Sequence, residues 1–100
     1  MHLQPGERIV KKGTYLYDGS IECDICIVYS PIRYGSGDYG DPPEWGEDQE
    51  IDTYYLYFGA TTERGRFAAG SGGTPSLTEA MAAAEAAPGV GKTVRWLSGA

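Results

Sequence analysis

A chain of 100 residues and 10.8 kDa has room for one hydrophobic core, so two independently stable domains are excluded. Hydrophobic residues make up 41% of it and aromatic residues 12%, which is typical of a globular protein and not of a wholly disordered one. The net charge of −6 disfavours direct binding to nucleic acid or anionic lipid, since both reward clustered lysine and arginine. No apolar run approaches a membrane span, and the first residues lack the apolar core of a secretion signal. We therefore expect a cytoplasmic protein.

The first strong secondary-structure signal is an alternating β pattern on both sides of Asp18-Gly19. This dipeptide favours the positive φ angles of a two-residue type I′ turn, so the pattern predicts a β-hairpin. Such a turn pairs Leu16 with Ile21, and alternation then predicts one face made of Leu16, Ile21, Cys23, Ile25 and Ile27. The acidic residues between them point to the opposite, solvated face.

Residues 30–50 interrupt the β pattern with four glycines and three prolines, and they predict a long loop. Seven acidic residues and no basic residue lie between positions 38 and 52. Outside that segment the chain is close to neutral. Aromatic residues set among charges are typical anchors of protein interfaces. The predicted partner-binding residues are Asp38, Tyr39, Asp41, Glu44, Trp45, Glu47, Asp48 and Glu50.

The remainder of the chain predicts further strands and one helix. Residues 51–58 form a β-rich run, and residues 64–69 can return antiparallel to it. Ser76 with Glu79 forms a capping box before an alanine-rich helix, which Pro88-Gly89 ends, and residues 92–97 predict a last strand. The expected fold is α+β: a single domain over residues 1–100, with one antiparallel sheet of about five strands in the order ββββαβ and the helix on one face.

Two short motifs suggest chemistry that their context does not support. Cys23 and Cys26 have the spacing of half a zinc site, but within a strand that spacing points the two sulfurs to opposite faces, and the chain has no other cysteine. We expect two ordinary cysteines and no metal, with a metal shared across a dimer as the alternative. Residues 86–93 resemble a phosphate-binding loop, yet their first residue is alanine, and the strand before the loop and the helix after it are missing.

Two ion sites remain as alternatives. The glycine-rich segment before the helix could hold a small anion at the helix N-terminus, with Gly72, Gly73, Arg64 and Arg66 as candidate residues. The acidic loop could hold Ca²⁺, although its spacing does not match an EF-hand.

Catalysis has little support in the sequence. Its one histidine, His2, lies in a segment without periodicity that we expect to be frayed, so a histidine-dependent mechanism is disfavoured. We expect no enzyme activity and no cofactor.

The sequence therefore predicts a non-enzymatic acidic binding protein, a monomer or a homodimer. Its partner would be a protein or nucleoprotein with a basic surface of the kind that binds nucleic acid, because carboxylates are steered to such a surface and exclude the polyanion. In size, acidity and α+β composition the chain is similar to small phage-encoded inhibitors such as anti-CRISPR proteins, a likeness of bulk properties and not of a motif. The alternative is a bacterial accessory domain that binds a small anion or a metal ion.

Overall fold

The computed structural model describes residues 3–35, 37, 40, 42, 46–69 and 73–97, with the backbone alone at positions 68 and 69. Its strands and helix are β1 (Arg8–Tyr17), β2 (Ile21–Ser30), β3 (Thr53–Gly59), β4 (Phe67–Ala69), α1 (Leu77–Ala86) and β5 (Arg95–Trp96). The strands form one antiparallel sheet in the order β4-β3-β2-β1-β5. This confirms the α+β class and the single antiparallel sheet with one helix. The count of about five strands is approximate, because β5 has two residues only.

The hairpin between β1 and β2 forms, but with a different register from the predicted one. Asp18 and Gly19 adopt positive φ angles of 52° and 70°, as the turn requires. The ladder nevertheless begins with Tyr17 opposite Ile21, so that Ser20 also belongs to the turn. The prediction of a two-residue turn was therefore wrong by one residue, and a slip of one residue exchanges the two faces of a strand. Tyr15, only 5% exposed, takes the core position expected of Leu16, while Ile21 is 44% exposed at the hairpin tip.

The main core lies between the sheet and α1. Its buried side chains come from β1, β2, β3 and the helix: Tyr15, Cys23, Ile25, Ile27, Leu56, Ala80 and Ala84. The buried residues of α1 are Ala80 and Ala84. Because their side chains are small, the helix backbone can approach the sheet closely. The helix begins as predicted, because the Ser76 hydroxyl accepts the Glu79 N–H at 3.1 Å.

The opposite face of β2 is also buried near its end. Cys26, Val28 and Ser30 are at most 1% exposed, although they point away from α1. Their cross-strand partners on β3 are Tyr57, Tyr55 and Thr53. Burial of both faces explains why the sequence of β2 becomes a continuous apolar run after Asp24.

The chain after the helix is less regular than predicted. Residues 91–93 form a 3₁₀ turn instead of the start of a strand, and only Arg95 and Trp96 pair with β1. In that turn the Thr93 hydroxyl accepts the N–H of Leu16 at 3.0 Å and lies 3.0 Å from the Val90 carbonyl oxygen, to which it can donate. The side chain of Thr93 therefore bonds to the edge of β1 at Leu16, past Gly13 and Thr14, which pair with β5. Across the residues that the structure describes, no helix has the length and apolar character needed to cross a bilayer.

Candidate interaction site: the acidic projection

The segment of residues 33–50, here called the acidic projection, begins and ends at a hydrogen-bonded neck. Arg33 and Gln49 each donate a backbone N–H to the other's carbonyl, at 2.8 and 2.9 Å. Further out, the Gly37 N–H donates to the Gly46 carbonyl at 3.1 Å. The described parts of the two arms are thus paired in an antiparallel manner at Arg33–Gln49 and approach again at Gly37–Gly46.

Tyr34 attaches the base of the projection to the rest of the molecule. Its backbone N–H donates to the Tyr55 hydroxyl at 2.9 Å, and the two rings lie 5.8 Å apart at an angle of 31°. The Tyr34 hydroxyl donates to the Glu7 carboxylate at 2.7 Å, and this bond raises the pKa of the tyrosine. A single side chain therefore links the projection both to β3 and to the segment before β1.

Glu7 is suited to accept that bond. Its other carboxylate oxygen accepts the Gln4 N–H at 2.9 Å. Partial burial by itself raises the pKa of the Glu7 carboxyl, but the hydrogen bonds from Gln4 and Tyr34 outweigh it, so the pKa lies below its ordinary value. Glu7 thus remains an ionised acceptor at neutral pH. The sequence analysis did not identify Glu7, Tyr34 or Tyr55 as part of the site.

The described acidic side chains of the projection face solvent. Glu47, Asp48 and Glu50 are exposed, and none of them belongs to an ion pair within the described ranges. Asp48 accepts the Gly35 N–H at 2.8 Å, which ties it to the opposite arm. A side chain at Gly35 would run into the backbone of Gly46 and Glu47, so the close approach of the arms requires glycine there.

The other predicted contact residues are Asp38, Tyr39, Asp41, Glu44 and Trp45, and they lie outside the described residues. The predicted partner site is therefore described at three of its eight positions. Its use as a binding site stays a prediction.

The candidate anion-site arginines are engaged elsewhere. The Arg64 guanidinium contacts the Asp24 carboxylate at 2.6 and 3.0 Å and the Glu22 carboxylate at 3.2 Å. This arginine hydrogen bond holds the pKa of Asp24 below its usual range. Arg66 lies 3.5 Å from Glu63. The backbone of Gly73 lies against the side chains of Thr53 and Tyr55, and Gly72 is outside the described residues. Neither arginine adds support to an anion site, which stays a prediction.

Metal and thiol chemistry gain no support from the described part of the chain, where no group of three or more histidine, cysteine or acidic side chains could hold a metal ion. Cys23 and Cys26 are buried, are not joined by a disulfide, and lie on opposite faces of β2 as the strand geometry predicts. Burial raises the pKa of the Cys26 thiol to about 11, so little thiolate is present at neutral pH.

Comparison with protein-family models, with curated proteins and with solved structures finds no match to this chain.

Proposed function

We propose that this protein is a non-enzymatic binding protein whose acidic projection occupies a basic surface of a partner macromolecule. The observation that carries the proposal is the neck: the backbone pairing of Arg33 with Gln49 brings together the two ends of a segment whose sequence is rich in carboxylates. Because its two ends are already joined at the neck, the segment has less conformational freedom to lose on binding than a segment with free ends.

The negative charges of the projection favour a partner with a positively charged surface. Glu47, Asp48 and Glu50 are exposed, and none forms an ion pair with the described bases, so their charge is available to an incoming molecule. Carboxylates on a projecting segment are attracted to clustered lysine and arginine. A groove that normally holds nucleic acid is the best electrostatic fit, and inhibition of such a partner, as by the small phage-encoded inhibitors of similar size and acidity, is the form of function that we favour.

A charge-matched pair of variants tests the proposal. The first carries Glu47→Gln, Asp48→Asn and Glu50→Gln on the projection. The second carries Asp18→Asn, Glu63→Gln and Glu85→Gln elsewhere. Each changes the net charge from −6 to −3 by removing three acids. Binding of each to an arginine-rich peptide is measured at low salt, by calorimetry with both partners in solution or by surface plasmon resonance with the peptide immobilised.

We expect the projection variant to lose about tenfold in affinity, on the basis of roughly 0.5 kcal/mol for each exposed ion pair. The second variant should lose much less. Equal losses would mean that net charge alone drives binding, and the projection would then have no special role. Thermal unfolding of both variants checks that the fold is kept.

A further inference from the structure

A cleft of about 170 Å³ lies beside the base of the acidic projection, lined in part by Arg33, Ile51, Asp52, Thr53, Thr74 and Pro75. We propose that this cleft receives one uncharged aliphatic side chain of the same basic partner. The inference rests on the proposed function and adds to it the chemistry of the partner segment: a run of lysine or arginine that contains an aliphatic residue.

The walls of the cleft offer mainly apolar surface to a ligand. Ile51 is 51% exposed. Burial of an isoleucine side chain away from water is favourable, so this residue leaves apolar surface for a ligand to cover. The Thr53 hydroxyl donates to the Ile51 carbonyl at 2.8 Å, and the Thr74 hydroxyl donates to the Ser76 carbonyl at 3.0 Å. Because the hydrogen of each hydroxyl is used within the chain, neither threonine offers a hydrogen-bond donor to a guest.

The cleft is held in place before any partner binds. Thr74 and Tyr54 each donate a backbone N–H to the other's carbonyl, at 2.9 and 2.8 Å, which joins one wall to β3. Thr53, on the adjoining wall, is a buried residue of β3 itself. A partner side chain therefore meets walls that need little rearrangement.

The charges at the cleft favour an uncharged guest. Arg33 and Asp52 both line it, so a charged side chain would be attracted by one and repelled by the other. Asp52 also accepts the Tyr29 hydroxyl at 2.6 Å, which holds its carboxylate in position. An aliphatic side chain carries no charge to be repelled and would cover the exposed Ile51.

The exposed carboxylates near the cleft in the chain favour a basic partner. Glu50 directly precedes Ile51 in the chain, and Glu47 and Asp48 lie on the same arm of the projection. A segment that places an aliphatic residue in the cleft would thus carry its neighbouring residues past exposed carboxylates. Lysine and arginine are the residues that these carboxylates would favour.

The test uses two synthetic peptides and two protein variants. Both peptides are lysine-rich and differ at one central position, leucine in one and serine in the other. Ile51→Ser removes the apolar wall, and Leu97→Ser is its matched control, because Leu97 is 52% exposed and is not a lining residue of the cleft. Affinities are measured by calorimetry on the full chain, with thermal unfolding as the check of folding.

We expect wild-type protein to prefer the leucine peptide by about three- to tenfold, as burial of one aliphatic side chain implies. Ile51→Ser should abolish that preference without changing affinity for the serine peptide, and Leu97→Ser should keep the preference. If the wild type shows no preference, or if Ile51→Ser keeps the preference, the proposed role of the cleft is wrong. The proposed function is not affected by that result, because the projection variants test it separately. Failure of wild-type protein to bind either peptide overturns both.

Discussion

The centre of the sheet and the acidic projection are stabilised by different kinds of contact. In β2, the side chains of Ile25, Ile27 and Val28 are at most 1% exposed, so the centre of the sheet rests on burial of apolar surface. The described part of the projection has no fully buried hydrophobic residue and rests on backbone hydrogen bonds at its neck together with the contacts of Tyr34. The centre should therefore resist opening, whereas the projection should open locally at a small cost in free energy.

The largest expected effect contrasts two isoleucines. Ile27→Ala removes a side chain that is completely buried between the sheet and α1 and should lower the free energy of unfolding by about 2–5 kcal/mol. Ile51→Ala, at the base of the projection, should change it by no more than about 0.5 kcal/mol. Urea denaturation followed by circular dichroism measures both. Similar losses in the two variants would contradict the contrast.

The second prediction concerns local opening of the projection. Tyr34→Phe removes the hydroxyl bond to Glu7 while leaving the ring beside Tyr55. Loss of one hydrogen bond should speed hydrogen exchange of the Arg33 and Gln49 amides by about two- to tenfold, with little change in global stability. These amides can be followed by NMR.

Tyr17→Phe is the matched control for this variant. Tyr17 is exposed, and its hydroxyl makes no hydrogen bond to the described residues. Unchanged exchange at the neck in Tyr34→Phe, or an equal change in Tyr17→Phe, would show that the Tyr34–Glu7 bond does not hold the projection.

The smallest expected effect contrasts an acid of the sheet with an acid of the projection. The Arg64 hydrogen bond lowers the pKa of Asp24 in the folded protein, so the folded state is stabilised most above the ordinary aspartate pKa of about 4. This stabilisation is lost as the pH falls through the lowered pKa. The stability advantage of wild type over Asp24→Asn should therefore be present at pH 7 and should shrink at lower pH.

Glu50→Gln provides the comparison for Asp24→Asn, because it also removes one charge, from an exposed side chain of the projection that has no ion pair within the described residues. Denaturation curves at several pH values between neutral and acidic give the required free energies. An advantage over Asp24→Asn that is constant with pH would mean that Arg64 does not act on this carboxyl in solution.

Local patterns in the sequence predicted the class of the fold and most of its elements, but not the register of its first hairpin. Alternation located β2 and residues 13–17 of β1, whose first five residues it missed, and the capping box located α1. The register depended on whether Ser20 belongs to the turn, and the propensity of Asp18-Gly19 for positive φ does not decide that. Propensity also overstated the last strand, where the turn at residues 91–93 takes the place of β structure.

The position of the projection followed from its composition, whereas the contacts at its base did not. Glycine, proline and clustered acids mark a break in the sheet at any such segment. The pairing of Arg33 with Gln49 and the attachment of Tyr34 to Glu7 join residues that are 16 and 27 positions apart, with no periodic signal between them. Tyr55 could have been identified from the alternation of β3, which turns it to the face opposite Leu56.

The position of Thr93 affects which backbone groups of β1 another molecule can reach. Outer strands of open sheets carry backbone groups that can recruit the same strand of another molecule, and polymers grow by that route. With β5 reduced to two residues, much of β1 would be available for such growth. The Leu16 N–H at that margin already donates to the Thr93 hydroxyl, so this one donor of β1 is not available to a strand of another molecule.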